Sequence, residues 1–266
     1  MPNSLKSPIT LPQLVKPYVQ RIAQSVTHRN VLTRAVLERR YNLNQLQRFE
    51  AVLNRHGRSF RTAQSIQDFG CGYGRLTQHL LEFAPGAAIS GCDVDHGAIR
   101  SCQRKFPRGS FVTNHPTPPL PSSVGQFDLI YSYSVFTHLS EPNHQGWLKE
   151  LSRHLKPGGL MLHTVHSAEY LKRAAAFSPE QLAKYRLAGL VETWLPSHHG
   201  YYYIVEEPSR PEYGYTLISR DYIVERWPRY AALALVDYVE AAIEAYPEGC
   251  QDIVVLAKPL QEIASP

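Results

Sequence analysis

The sequence has few cysteines and no long run of apolar residues. Its 266 residues include four cysteines, too few for a disulfide framework, and no Cys-x-x-Cys pair of the kind found in zinc or redox sites. The most apolar stretch near the C-terminus, residues 230–243, is short and interrupted by two acidic residues, so it predicts no membrane-spanning helix. Prolines interrupt the N-terminus, where no apolar segment follows a basic start as in a signal peptide. These features predict a cytoplasmic protein in a reducing compartment.

The sequence also lacks the short motifs of several enzyme classes. It contains no GxSxG, P-loop or HExxH motif. Residues 68–70 have the sequence of the Asp-Phe-Gly tripeptide of protein kinases, but the catalytic His-Arg-Asp and the glycine-rich ATP loop of kinases are missing. His163 and His166 stand three positions apart in a predicted strand and therefore on opposite faces, so no metal site is predicted.

Charge is distributed unevenly along the chain. Residues 1–61 hold eleven Lys or Arg against two acidic residues, whereas the remainder is mildly acidic and the net charge is +5. A basic N-terminal segment is typical of a solvated helix face, and it would also suit docking to an acidic carrier protein. No compact basic and aromatic motif indicates RNA binding, so a nucleic-acid partner is not expected.

Hydrophobic periodicity divides the chain into a helical cap and an α/β domain. With 43% hydrophobic residues the chain can bury a sizeable core. Apolar residues between Leu32 and Leu53 recur at helical steps up to Gly57, which predicts an N-terminal helical cap over residues 1–61. From residue 62 onward, short strands alternate with helices, which predicts right-handed crossovers and a mostly parallel sheet. The predicted strands are residues 65–69, 88–92, 110–113, 127–133 and 160–165.

The C-terminal part predicts the remaining strands and an insertion. Residues 231–238 and 251–257 are β-prone and joined by a short connection, which predicts an antiparallel pair that closes the sheet. The expected fold is therefore an α/β, Rossmann-like, seven-stranded and mostly parallel sheet with an antiparallel terminal strand pair. Residues 167–219 are rich in aromatics and contain two tyrosine clusters that could form a hairpin. An insertion after the fifth strand lies where a lid or substrate pocket is expected.

A glycine-rich turn joins the first strand to its helix. It spans residues 68–74, Asp-Phe-Gly-Cys-Gly-Tyr-Gly, and glycines there permit positive φ and close approach of a ligand to the backbone. The N-terminus of the following helix, predicted at Arg75, would attract a carboxylate or phosphate. A dinucleotide fingerprint needs its third glycine three positions after the second, but Gly74 is only two after Gly72, which disfavours a nicotinamide cofactor.

Asp93 ends the second predicted strand. A carboxylate at that edge of a parallel sheet can accept two hydrogen bonds from a ribose diol, which points to an adenosine-like ligand. The alternative is that Asp93 caps the N-terminus of the next helix.

Four motifs in order resemble the class I S-adenosylmethionine-dependent methyltransferases that act on small molecules. They are residues 68–74, Asp93, the strand at 127–132 and the Leu-Lys-Pro-Gly-Gly-Leu sequence at 155–160. The resemblance implies a methyltransferase domain over residues 62–266, with S-adenosyl-L-methionine as cofactor and S-adenosyl-L-homocysteine as product. It further implies a role for Asp68 in orienting the methionine ammonium, directly or through water.

The resemblance also assigns the other cofactor contacts. The backbone of the glycine turn would pack against the methionyl and ribose portion, Asp93 would hold the ribose hydroxyls and Val94 would lie against adenine. Asn114 takes the place of the acidic or amide residue expected near the adenine amine, and Tyr131 and Ser132 would line the methionine end. The residues expected to contact cofactor are therefore Asp68, Gly70, Cys71, Gly72, Gly74, Asp93, Val94, Asn114, Tyr131 and Ser132.

The catalytic base is expected among two histidines that follow the fourth and fifth strands. A neutral imidazole suits deprotonation of a hydroxyl or ammonium near neutral pH, and His138 is favoured slightly over His166. The fourth strand is not followed by the Asn/Asp-Pro-Pro-Tyr tetrad, which disfavours nucleobase or glutamine acceptors. The expected reaction is methyl transfer to an oxygen or nitrogen of a small metabolite. The alternatives are a catalytically inactive, cofactor-binding regulator and an enzyme for a substrate tethered to a carrier protein.

Overall fold

The computed structural model describes residues 31–121, 123–174, 178–184, 189–190, 200–205, 208–241 and 251–260. The chain divides into two compact units, residues 1–41 and 42–266. The smaller unit is described only from residue 31, where helix α1 (Val31–Arg55) begins. The larger unit carries the main sheet.

Seven strands form the main sheet of the larger unit: β1 (Ser65–Phe69), β2 (Ala88–Asp93), β3 (Ser110–Thr113), β4 (Phe127–Ser132), β5 (Leu155–Val165), β8 (Ala234–Val239) and β9 (Asp252–Ala257). Their order in the sheet is β3-β2-β1-β4-β5-β9-β8. Strands β1 to β5 pair in parallel, and β9 runs antiparallel to both β5 and β8. This topology confirms the predicted Rossmann-like sheet with an antiparallel terminal pair.

A separate two-stranded hairpin lies within the predicted insertion. Its strands, β6 (Tyr201–Val205) and β7 (Gly214–Ile218), pair antiparallel with Tyr201 opposite Ile218, which confirms the predicted hairpin. The insertion also contains α5 (Ala168–Ala174) and α6 (Pro179–Lys184). Its residues 175–177, 185–188, 191–199 and 206–207 lie outside the described residues.

Helices cover both faces of the sheet. The other helices are α2 (Thr77–Phe83), α3 (His96–Lys105), α4 (Glu141–His154) and α7 (Arg220–Ala231). Because successive strand residues point to opposite faces, β4 supplies Leu129 and Tyr131 to one apolar core and Ile130 to the other. Burying a large apolar side chain contributes about 1.5–3 kcal/mol, so these two layers dominate the stability of the fold. None of the helices in the described ranges is long and apolar enough to cross a membrane.

The element boundaries depart from the sequence predictions at several places, and β8 begins at Ala234 rather than at residue 231 because α7 continues to Ala231. Helix α2 begins at Thr77 rather than Arg75, because residues 72–76 form successive turns after the glycine-rich segment. Residues 156–159, which precede the strand predicted at 160–165, lie inside β5 as an irregularity, where the pairing register shifts between Phe127 and Leu129. Hydrogen bonds between Gly158, Gly159 and Lys258 keep this irregular part of β5 attached to the chain after β9.

Candidate functional site

The glycine turn follows β1 at the carboxyl edge of the sheet. The amides of Gly70 and Cys71 both donate to the carbonyl of Cys92, at 2.8 and 3.0 Å, so the turn is fastened to the end of β2. Gly70 has φ +77°, and a Cβ atom there would lie 2.2 Å from Cγ2 of Val135. Gly72 has φ +51° with no atom within 4 Å of such a Cβ, which leaves open space above its backbone.

Gly74 is required for packing rather than for ligand approach. A Cβ atom at this position would lie 2.5 Å from the ring of Phe106 and 3.1 Å from the sulfur of Cys102. Helix α2 starts at Thr77, three residues after Gly74, so its N-terminus lies later than the predicted start at Arg75. The helix is also only seven residues long. The open backbone at Gly72, rather than a helix end, is therefore the part of this turn that is accessible to a ligand.

Asp68 is a buried carboxyl beneath the glycine turn. Its side chain is 2% exposed, and the Thr77 hydroxyl donates to Oδ2 at 2.7 Å. Burial raises the pKa of Asp68 to about 6, although the hydroxyls of Tyr131 and Thr77 partly offset this shift. A neighbouring cation would favour the ionised carboxylate, so the environment of Asp68 fits the role that the resemblance predicts for it beside an ammonium group.

Asp93 connects the end of β2 to the glycine turn. Its Oδ2 accepts from the Gly72 amide at 2.7 Å, and its Oδ1 accepts from the Asp95 amide at 2.9 Å. Helix α3 is instead capped by Asp95, whose Oδ1 accepts from the amides of Gly97 and Ala98. The alternative that Asp93 is the helix cap is therefore wrong. A carboxylate has about four acceptor positions, so Asp93 retains capacity for a diol.

The predicted adenine contacts surround the same edge. Val94 is 42% exposed, which leaves an apolar surface beside Asp93. Asn114 is buried, and its Nδ2 donates to the carbonyl of His115 at 2.7 Å, whereas its buried Oδ1 has no hydrogen-bond partner among the described residues. A buried acceptor without a donor is costly, and an exocyclic amine would satisfy it. These residues fit a nucleoside bearing an amino group.

Cys71 contributes a neutral thiol to the glycine turn. Burial raises the pKa of Cys71, because the thiolate would be desolvated beside the carboxylate of Asp68. The thiol donates weakly to the carbonyl of Gly72 at 3.7 Å. Cys71 therefore provides packing and a polar contact within the turn rather than a nucleophile.

Tyr131 and Ser132 lie at the end of β4 and point to opposite faces of the sheet. Tyr131 is fully buried, with its ring 5.7 Å from those of Phe49 and Phe60, and Asp68 lies near its hydroxyl. The Ser132 hydroxyl is paired with Nδ1 of His163 at 2.8 Å in the opposite core. Both side chains are committed to packing inside the sheet, and their contact with the cofactor stays a prediction.

The structure brings His138 and His166 into one aromatic cluster. His138 stacks on Tyr213 at 4.7 Å with an interplanar angle of 9°. His166 is 5% exposed and stacks on Tyr170 at 3.8 Å and on Tyr215 at 5.0 Å, and these two tyrosine rings are 6.0 Å apart. Burial lowers the pKa of His166 well below its usual value, and the nearby imidazole of His138 lowers it further.

Sequence reasoning missed the individual tyrosines of this cluster and Thr77 beside Asp68. The only signal for the tyrosines was their concentration in residues 167–219, which does not say which rings meet the histidines.

In the part of the chain that the structure describes, no three His, Cys, Asp or Glu side chains are grouped so that they could hold a metal ion.

Comparisons with known proteins agree on one family. A family model described as a methyltransferase domain matches residues 66–159, from β1 into β5. A tRNA (carboxymethyluridine(34)-5-O)-methyltransferase of Arabidopsis thaliana is 30% identical over 168 residues, which are 63% of this chain and 37% of that protein. A trans-aconitate 2-methyltransferase of Methylobacterium nodulans is 27% identical over 224 residues, covering 73% of this chain and 83% of the relative. The chain thus spans well under half of the Arabidopsis relative.

Solved structures share the fold at low sequence identity. A 1,6-didemethyltoxoflavin-N1-methyltransferase of Burkholderia thailandensis superposes with a TM-score of 0.53 at 17% identity, covering 96% of this chain and 93% of that one. An S-adenosylmethionine-dependent methyltransferase of Clostridium acetobutylicum gives a TM-score of 0.54 at 12% identity, covering 93% and 100%. The strand order, the turn between β1 and β2 and these matches lead to one assignment. These findings support a class I S-adenosylmethionine-dependent methyltransferase, with the methyltransferase domain matched over residues 66–159.

Proposed function

We propose that this protein transfers a methyl group from S-adenosylmethionine to an oxygen or nitrogen atom of a small-molecule acceptor. The observation that carries the proposal is the arrangement around Gly72. No atom lies within 4 Å of a Cβ placed on Gly72, and the Gly72 amide donates a hydrogen bond to the carboxylate of Asp93. The buried carboxyl of Asp68 lies at the end of the preceding strand. When bound, the cofactor supplies a methyl group already activated by its sulfonium. The protein must therefore mainly align the acceptor with that methyl group, a contribution worth up to about 7–11 kcal/mol.

Three side chains at the carboxyl edge of the sheet each bind a different part of the cofactor. Asp68 pairs with the methionine ammonium, Asp93 accepts from the ribose hydroxyls, and Asn114 Oδ1 accepts from the adenine amine. The support for the last contact is the buried and unsatisfied Oδ1 atom, which nothing else in the described residues satisfies. The two carboxylates also make the site electrostatically suited to a ligand with a positive sulfonium and ammonium.

We propose His138 as the general base. Its Nδ1 lies 2.8 Å from the carbonyl oxygen of Gly214, and since a carbonyl can only accept, Nδ1 carries the proton and Nε2 carries the basic lone pair. His166 is less suited to the role, because its lowered pKa makes it a weak base that stays neutral. In this assignment His166 acts as a hydrogen-bonding group for the acceptor.

The acceptor is proposed to be a small metabolite. Support comes from the relatives and neighbours whose names specify small molecules, trans-aconitate and 1,6-didemethyltoxoflavin, over most of their length. The relative named for tRNA is matched over only 37% of its own length. Aromatic faces of Tyr170, Tyr213 and Tyr215 near the two histidines would suit a flat acceptor.

One experiment tests the proposal and separates it from the alternatives. Purified protein is incubated with methyl-labelled S-adenosylmethionine and a metabolite extract of the host, and labelled products are identified. Label in a small molecule, lost in His138→Gln and kept in the control His154→Gln, is the expected result. Cofactor binding without any labelled product would favour the regulatory alternative, and label that requires a carrier protein would favour the tethered substrate.

A further inference from the structure

Hairpin β6–β7 is hydrogen-bonded to the segments that follow β4 and β5. The amides of Gly214 and Thr216 donate to the carbonyls of His138 and Thr137, each at 2.9 Å. The Ile218 amide donates to the carbonyl of His166 at 2.9 Å. The hairpin is thus bonded directly to both histidines of the site, unlike the loosely attached lid that an insertion at this position would suggest.

His138 and Gly214 form a reciprocal pair. The Gly214 amide donates to the His138 carbonyl, and His138 Nδ1–H donates back to the Gly214 carbonyl at 2.8 Å. Both the main chain and the side chain of His138 are therefore hydrogen-bonded to one residue of β7. The second bond also selects the Nδ1–H tautomer, in the way that the partner of one ring nitrogen fixes the role of the other.

The position of Gly214 is itself set by the hairpin. A Cβ atom at residue 214 would lie 2.1 Å from the carbonyl oxygen of Ile204 and 2.7 Å from the ring of Tyr203. Only glycine allows β7 to approach β6 this closely, so the carbonyl that receives His138 is fixed by main-chain pairing rather than by a mobile side chain.

Tyr213 restrains the remaining freedom of the imidazole. Its ring lies parallel to that of His138, with centroids 4.7 Å apart, and the guanidinium of Arg210 lies 5.1 Å from the Tyr213 centroid. The Tyr215 ring meets the His138 ring edge-on at 6.2 Å. A stacked neighbour opposes rotation of the imidazole out of the plane in which Nδ1 meets the Gly214 carbonyl.

We propose that Tyr213 and Gly214 are positioning residues, which hold the His138 imidazole in one orientation with Nε2 as its basic atom. Hairpin β6–β7 would then be the element that orients the base, in the way that a third group orients the base of other catalytic sites. This inference rests on the proposed function, in which His138 accepts the proton of the acceptor.

The first test measures the tautomer directly and needs no acceptor. Histidine labelled with nitrogen-15 is introduced into the full chain, and the ring-nitrogen shifts of His138, identified by their loss in His138→Gln, are recorded near pH 8 with S-adenosylhomocysteine present. The Nδ1–H tautomer is expected in the unaltered protein. An Nε2–H tautomer there would overturn the inference.

The second test measures turnover with variants in the same hairpin. Initial rates of label transfer into the metabolite extract are compared for Tyr213→Ala, Tyr213→Phe and the control Tyr202→Ala, which removes a tyrosine of the same hairpin that packs against the cluster around Leu171 and Leu217. Tyr213→Ala is expected to lower kcat about tenfold to a hundredfold and to change the pH dependence of the rate, with the KM for cofactor unchanged. Tyr213→Phe keeps the stack and should retain at least half of the rate.

The outcomes distinguish failure of the inference from failure of the proposed function. Loss of activity in His138→Gln with normal kcat and pH profile in Tyr213→Ala would overturn the positioning role while leaving the base in place. Full activity in His138→Gln would instead remove the base from the proposed function. A drop in kcat in Tyr202→Ala equal to that in Tyr213→Ala would also overturn the inference, because it would reduce the effect to general loss of hairpin stability.

Discussion

Replacing Asp68 with asparagine should stabilise the cofactor-free protein. Burial raises the pKa of this carboxyl from 3.8 to about 6. A raised pKa means that the folded state holds its proton more tightly than the unfolded state, so the stabilisation from this group is complete below pH 3.8 and is lost as the pH rises toward 6. The shift of about two pKa units corresponds to roughly 3 kcal/mol lost at neutral pH, at 1.36 kcal/mol per unit.

Asparagine resembles the protonated carboxyl in shape and can still accept from the Thr77 hydroxyl, but it does not ionise. Asp68→Asn should therefore be more stable than the unaltered protein by up to about 3 kcal/mol at pH 7.5, or roughly 5–10 °C in Tm. The difference should shrink by roughly 1 kcal/mol at pH 5, where much of Asp68 is protonated in the folded protein. Thermal unfolding of both proteins at the two pH values, without cofactor, measures this.

The same substitution should weaken cofactor binding, because the ammonium loses its carboxylate. In the unaltered protein, binding should select the ionised form of Asp68, so affinity should fall as the pH drops below about 6. A variant that is no more stable than the unaltered protein at pH 7.5, or a stability difference that does not change with pH, would refute the description of Asp68 as a desolvated carboxyl.

Four further changes have expected outcomes. Gly70→Ala should lower stability by about 2 kcal/mol or more in denaturant unfolding, since φ is +77° and the new Cβ would collide with Val135. Asn114→Ala should weaken binding of S-adenosylhomocysteine about tenfold in calorimetry, through loss of one hydrogen bond to the ligand. His163 has its pKa lowered to about 3 by burial, so its contribution to stability is lost as the pH falls from 6.5 toward 3; His163→Leu should flatten the decline of Tm over that range. Ser219→Ala removes the side-chain cap of α7 and should cost about 1 kcal/mol without affecting cofactor affinity. Unchanged stability in Gly70→Ala, or a steeper acid decline in His163→Leu, would contradict these expectations.

Much of the sheet was predictable because its strands and helices have clear hydrophobic periods. Five parallel strands and the antiparallel pair follow from spacing alone, and their order agrees with the predicted fold. The boundaries were less predictable, since residues 156–159 have the composition of a turn yet stay in β5, because Leu155 and Leu160 on either side pair with β4 and the two glycines bond to Lys258. Tertiary hydrogen bonds overrode local propensity there.

The cofactor side of the site was predictable because its residues follow the ends of consecutive strands. Whether Asp93 or Asp95 caps α3 could not be decided from Asp-Val-Asp, because both carboxylates are within reach of the helix start. The structure separates them through the Gly72 amide, which binds Asp93 from a loop 21 positions earlier. A contact between residues so far apart in the chain cannot be predicted from the local sequence.

The acceptor side was largely unpredictable. His138 and Gly214 are 76 positions apart, and their pairing depends on how the hairpin meets the segment after β4. A concentration of tyrosines indicates a binding or packing surface but not which ring stacks on which imidazole. Likewise, nothing in the sequence shows that His163 and His144 are buried, with pKa values lowered to about 3, whereas His138 is only half-buried.

Calorimetric titration with S-adenosylhomocysteine, comparing the unaltered protein with Asp93→Ala, tests the central claim most directly. A nucleoside held by this carboxylate should bind the unaltered protein with measurable heat and bind the variant about a hundredfold more weakly, since charged hydrogen bonds contribute roughly 1.5–3 kcal/mol. Equal affinity for the two proteins, or no heat with the unaltered protein in buffers of different ionisation enthalpy, would contradict the account.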